Sequence, residues 1–112
     1  MSGQTLYAER DEIKRSLHKS MQKMHTNGMA WAEKTRVYRT KLAQMILLLK
    51  NQGIQISILE KVAKGQESVA EAEFDMITAE VLYKASQENI MIQKKLLDSI
   101  EDEIKREWGR SS

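Results

Sequence analysis

The stretch VAEAEFDMITAEVLYK (residues 69–84) carries two apolar stripes on opposite sides of one predicted helix. One stripe recurs in steps of three and four residues, and its members are Ala70, Phe74, Ile77, Val81 and Ala85. The other recurs every seven residues, through Val69, Met76 and Tyr83. A helix that borders a single core needs only one apolar stripe. The stretch therefore predicts a helix that is covered from two sides.

The seven-residue repeat extends along the whole of the last predicted helix. Its first positions are Val69, Met76, Tyr83, Ile90, Leu97 and Ile104. The positions three residues later include the small residues Ala72 and Ala79, which permit close helix approach in an a/d seam. We expect a second chain to occupy this seam in a dimer or higher homo-oligomer, with Gln93 fixing the register. An intramolecular bundle is the alternative use of the same repeat.

The composition indicates a single all-α domain over residues 1–112. The chain has no proline and no cysteine, and 41% of its residues are hydrophobic and 30% charged. Such a composition favours helices and a compact core, and it excludes disulfides and thiolate metal sites. The N-terminus lacks a secretory apolar run, and the longest apolar run, residues 45–49, is too short to span a membrane. A cytoplasmic location is therefore expected.

Helix signals divide the chain into four predicted helices, at residues 5–25, 29–51, 58–64 and 67–108. Asn27-Gly28 and Gly53 supply stop signals. Ser57 with Glu60, and Ser68 with Glu71, have the spacing of capping boxes. The last helix is about forty residues long, because no helix breaker interrupts it before Gly109. We expect an antiparallel hairpin or bundle in which the second helix covers the three-and-four stripe. The run at residues 45–49 is apolar all round, so it needs cover on several sides.

Motifs for catalysis are missing from the sequence. It contains no phosphate-cradling glycine loop, no nucleophile elbow and no HExxH zinc motif. His18 and His25 lie seven residues apart without further ligands at matching spacing, so no metal site is predicted. We therefore predict a non-catalytic protein without a cofactor.

The richest polar cluster is WAEKTRVYRTK (residues 31–41). Two guanidinium groups three residues apart on a helix can grip one phosphate or carboxylate, and an exposed aromatic ring can stack on a nucleotide base. The candidate contacts to a ligand or partner are Arg36, Tyr38, Arg39 and Lys84. The alternative is structural: Tyr38 is a core residue and the arginines pair with Glu73, Glu80 or Glu88 of the long helix.

Charge is unevenly distributed along the chain. Residues 1–50 contain ten Lys and Arg against four Asp and Glu, whereas residues 51–112 contain eight against twelve. This division favours ion pairing between helices of one bundle. It also suggests a basic surface for partners that carry phosphate, so the alternative function is nucleic-acid binding in replication or recombination.

Four segments of the chain resemble a group of small helical proteins from phages and prophages of Gram-positive bacteria. The segments are WAEKTRVYRTKLAQMILLLKNQG, AKGQESVAEAEFD, AEVLYKASQENI and KREW, within residues 30–108. The resemblance implies a phage accessory protein that is expressed inside the host cell. It favours an oligomeric binder of a host protein or a nucleotide-type ligand, with counter-defence as its role.

Overall fold

Three helices make up the computed structural model, which describes residues 3–111. They are α1 (Gly3–Asn51), α2 (Ile56–Lys64) and α3 (Glu67–Ser111). No strand occurs within those residues. The all-α class, the short middle helix and the long C-terminal helix are confirmed.

α1 runs without a break through Asn27 and Gly28, so the predicted division into helices 5–25 and 29–51 is wrong. A Cβ atom at Gly28 would lie 3.1 Å from Cε1 of Tyr83. Glycine inside a helix costs about 1 kcal/mol relative to alanine. Here the missing side chain lets the Tyr83 ring lie close to the α1 backbone. Gly28 therefore marks a close helix approach and not a helix end.

Contacts divide the chain into two compact units. Met1–His25 and Lys84–Ser112 form the terminal unit, and Thr26–Tyr83 forms the central unit. α1 and α3 contribute a segment to each unit. The two units differ in how their helices are held together.

The central unit contains an antiparallel pair of helix segments. Near its start, the ring of Trp31 in α1 packs on that of Tyr83 in α3, with centroids 5.5 Å apart and a tilt of 35°. Further along α1, Tyr38 clusters with Val69 and Ala72 near the start of α3. Early residues of one segment thus meet late residues of the other, which makes the pair an antiparallel hairpin.

α1 ends just before Gly53, as its sequence predicted, and does so in a Schellman motif. The amide of Ile54 donates to the carbonyl of Leu49, and that of Gly53 to the carbonyl of Lys50, both at 3.1 Å. Gly53 has φ of 90°, a left-handed conformation that glycine adopts without a steric penalty. The turn leads into α2, whose buried Leu59 and Ala63 pack on Leu49.

The predicted capping boxes do not form. α2 already begins at Ile56 after Gln55, which makes no side-chain cap, so Ser57 lies inside the helix. α3 begins at Glu67, before Ser68. The carbonyl of Gln66 accepts from the amides at positions 69 and 70 instead, at 3.1 and 2.8 Å. Both helices therefore begin before the serine that was expected to cap them, and their first turns are held by main-chain hydrogen bonds.

The terminal unit has a more polar helix contact. Asn89 of α3 donates to the hydroxyl of Ser20, and Gln93 donates to that of Ser16, both at 3.2 Å. Ile90 lies between these two positions and is buried. The side-chain oxygen of Gln93 is buried without a hydrogen-bond partner in the described part of the chain. Gln93 thus sets register within the chain, where the sequence had predicted register between chains.

Replacing Gly28 by alanine tests the close approach to Tyr83. Alanine should add about 1 kcal/mol of helix propensity, but its Cβ would press on the Tyr83 ring. We expect no gain in the free energy of unfolding for Gly28→Ala alone. In a Tyr83→Ala background, the same substitution should stabilise by about 1 kcal/mol. Urea unfolding followed by circular dichroism measures both.

Gly109→Ala is the matched control, because Gly109 is also helical and a Cβ there meets nothing within 4 Å. It should be neutral or slightly stabilising, since helix ends fray. Equal gains for Gly28→Ala in the presence and absence of Tyr83 would contradict the steric account.

Candidate interaction surface

The seven-residue repeat forms the inner side of α3 within a single chain. Its members in the central unit are Val69, Ala72, Met76, Ala79 and Tyr83. Val69, Ala72 and Ala79 are buried, and Met76 packs on the cluster around Tyr38. In the terminal unit, Ile90 is buried while Leu97 and Ile104 are half-buried. These residues therefore lie in contacts of the chain with itself, and not in the seam that the sequence analysis assigned to a second chain.

The three-and-four stripe lies on the opposite side of α3 and is exposed. Phe74, Ile77 and Val81 are 69%, 47% and 61% exposed. We call these three residues the outer α3 face. The sequence analysis expected the predicted helix 29–51 to cover this stripe. That expectation is wrong, because α1 packs against the small residues of the seven-residue repeat, where the helices approach more closely. Val81 follows Ala72 by nine positions, which is about 180° around a helix.

α1 also presents apolar residues on the side away from the core. Leu47 is 62% exposed and Leu48 is 51% exposed, whereas Leu49 of the same run is buried. The expected cover on several sides of residues 45–49 is therefore only partly provided within the described residues. Met29 and Leu47 lie eighteen positions apart, or five helical turns, and so share one side of α1 with Arg36 between them. We call Met29, Arg36 and Leu47 the outer α1 face.

The two faces have opposite charge around them. In the central unit, α3 contains five acidic residues and no Lys or Arg. The acidic residues Glu67, Glu71 and Asp75 are exposed. The α1 segment of the same unit contains the exposed bases Lys34, Arg36, Arg39, Lys41 and Lys50 against one acid, Glu33. Each face therefore favours partners of the opposite charge.

Arg36 is held by a neighbour on its own helix. Its Nε donates to Oε2 of Glu33 at 3.0 Å, and its Nη2 donates to Oε1 at 2.5 Å. These two hydrogen bonds raise the pKa of Arg36 and lower that of Glu33. The pair is exposed, so its contribution to stability is small. The predicted alternative partners on α3 are not used by Arg36, and a ligand would have to compete with Glu33 for it.

Tyr38 lies in the core and not on the surface. It is 9% exposed and belongs to the cluster with Val69 and Ala72. Its ring is therefore not available to stack on a ligand, which removes it from the candidate contacts. The structural alternative describes its position correctly.

The Tyr38 hydroxyl belongs to a polar cluster that the sequence analysis missed. It donates to the Glu73 carboxylate, and this bond, together with burial, raises the pKa of Tyr38. Lys64 of α2 bonds Glu60 at 3.1 Å, which raises the pKa of Lys64, with smaller contributions from Tyr38 and Glu73. The cluster therefore brings polar groups of all three helices of the central unit near one another. Only the four-residue spacing of Glu60 and Lys64 was visible in the sequence.

The four predicted contact residues differ in burial and in the unit to which they belong. Arg36 and Arg39 are exposed on α1, Tyr38 is buried, and Lys84 belongs to the terminal unit. Within residues 3–111, no group of three His, Asp or Glu side chains is arranged to hold a metal ion. In the same range, no helix combines the length and apolar character needed to cross a membrane.

The comparisons with known proteins give no relative for this chain. No family model, no curated protein and no solved structure matches it.

Replacing Tyr38 by phenylalanine tests the polar cluster. The raised pKa means that the folded protein holds the hydroxyl proton more tightly than the unfolded chain does. This stabilisation is fully present below about pH 10, the ordinary pKa of tyrosine, and is lost as pH rises through the folded-state pKa. Tyr38→Phe should lower the free energy of unfolding at neutral pH by about 1 kcal/mol and make its decline above pH 10 shallower.

Chemical unfolding at several pH values measures both effects. Tyr7→Phe is the control, because Tyr7 is exposed and its substitution should change stability little. If the two variants lose stability with pH identically, Tyr38 does not carry the proposed linkage.

Proposed function

We propose that the protein is a non-catalytic helical binding protein that acts as a homo-oligomer through its outer α3 face. The observation that carries this proposal is the joint exposure of Phe74, Ile77 and Val81 opposite the hairpin core. Contiguous exposed apolar side chains of this kind mark interaction sites. Because α1 already occupies the inner side of α3, any cover for the outer side has to come from another molecule.

The energetics require more than these three side chains. Burying a large apolar side chain contributes about 1.5–3 kcal/mol. Association costs at least about 4 kcal/mol in lost translation and rotation. Burial of the outer α3 face therefore exceeds the minimum cost of association by only a small margin, so further contacts are needed for a stable complex. The exposed acids Glu67, Glu71 and Asp75 extend the contact and favour a basic partner surface.

The phage resemblance gives this binding activity a biological context. We propose an accessory protein inside the host cell, whose oligomer engages a host protein or a nucleotide-type ligand in counter-defence. The alternative is a nucleic-acid-binding accessory of phage replication or recombination, which the exposed bases of α1 favour. That alternative predicts binding that weakens steeply with salt and with loss of Arg36 and Arg39.

Native mass spectrometry at low activation energy tests the proposal. We expect the purified protein at multiples of its 12.9 kDa chain mass. Phe74→Ser should shift the distribution toward the single chain, because it removes the most bulky side chain of the outer α3 face. Since Phe74 is 69% exposed, the fold of the single chain should be unchanged by circular dichroism.

Ile56→Ser is the matched control, because Ile56 of α2 is also apolar and exposed. It should leave the oligomer intact. A single-chain mass for the unaltered protein at every concentration would contradict the proposal. An added mass of a few hundred daltons would identify a captured small ligand and favour the nucleotide-type partner.

A further inference from the structure

We infer that the outer α3 face of one chain packs against the outer α1 face of a second copy, in a head-to-tail arrangement. The inference rests on the proposed function and names the partner surface. It is drawn from the area that the chain exposes, the charges around the two faces and the directions in which they point.

The exposed area is larger than a finished monomer of this mass requires. A folded monomer of 12.9 kDa exposes about 6,300 Å². The chain exposes 8410 Å². The difference of about 2,100 Å² is well above the roughly 800 Å² that each partner loses in one interface of standard size. It is enough for two such interfaces on every chain.

The charges around the two outer faces determine which of them can pair favourably. Pairing two outer α3 faces would bring together two segments that each expose Glu67, Glu71 and Asp75 and contain no bases. Like charges at an interface are costly. The α1 segment of the central unit carries five bases and one acid, and its outer face presents Leu47 and Met29, both about 60% exposed. It is therefore the part of the chain that matches the outer α3 face in both charge and apolar character.

Geometry makes the contact head-to-tail. Leu47 follows Tyr38 by nine positions and Val81 follows Ala72 by nine, so each points about 180° away from a core residue of its own helix. The two outer faces of the central unit therefore point in opposite directions. One partner cannot cover both, so each chain contacts two others. Such a contact closes into a ring or continues as an open array.

Two face-specific double variants test this inference by complementation. Phe74→Ser with Ile77→Ser removes the outer α3 face, and Met29→Ser with Leu47→Ser removes the outer α1 face. All four residues are at least 47% exposed, so both variants should fold, which circular dichroism checks. Each double variant alone should lose association by about a hundredfold or more and give the single-chain mass.

An equimolar mixture of the two variants should restore a complex of two chains, one of each kind. Each variant still carries the face that the other lacks, and the two damaged faces stop further growth. Native mass spectrometry resolves the pair, because the variants differ in mass. The restored complex should weaken as ionic strength rises, since opposite charges surround the contact.

The outcomes separate this inference from the proposed function. If the unaltered protein is oligomeric but the mixture stays at the single-chain mass, the head-to-tail contact is wrong while the oligomeric function stands. The inference is equally overturned if the outer α1 variant assembles as well as the unaltered protein, because an α3-to-α3 contact then suffices. If the unaltered protein is itself monomeric at every concentration, both proposals fail.

Discussion

Close packing of α1 on the small residues of α3 determines which sides of both helices remain exposed. Ala72 and Ala79 are buried on α3, and Gly28 on α1 leaves room for the Tyr83 ring. Close approach multiplies the dispersion contacts between helix backbones, so α1 packs best on the face with the smallest side chains. The bulkier apolar stripe that begins at Phe74 is consequently left on the outside. The exposed face is thus a product of how the hairpin closes.

The two units differ in the side chains that lie between their helices. In the central unit, α2 adds a third element, and Leu59 and Ala63 complete an apolar cluster with Leu49. In the terminal unit, serine, asparagine and glutamine side chains meet between the two helices. A hydrogen bond contributes less than the burial of a large apolar side chain. Local opening should therefore cost less in the terminal unit than in the central unit.

The sequence allowed the helical class and the termination at Gly53 to be predicted, because both depend on local chemistry. It could not reveal which apolar stripe faces inward, since periodicity describes a face without naming its neighbour. The predicted helix end at Gly28 is wrong for a related reason. Glycine disfavours a helix locally, but here a tertiary contact with Tyr83 overrides that preference. Arg36 pairs with Glu33 on its own helix, a choice among acids that residue spacing alone did not settle.

The uneven charge of the chain affects both the inside of the hairpin and its outer faces. Inside the hairpin, a basic α1 segment beside an acidic α3 segment is favourable, and the same pattern recurs on the surfaces that point away from the core. A helix segment whose acidic residues lie beside two apolar sides can pack on a basic helix of its own chain and, as proposed, on one of a second copy. One pattern of side chains can therefore direct the folding of the hairpin and the assembly of several copies. In the proposed head-to-tail contact, segments of α1 and α3 meet again, but through their bulky outer faces instead of the small residues on which the hairpin closes.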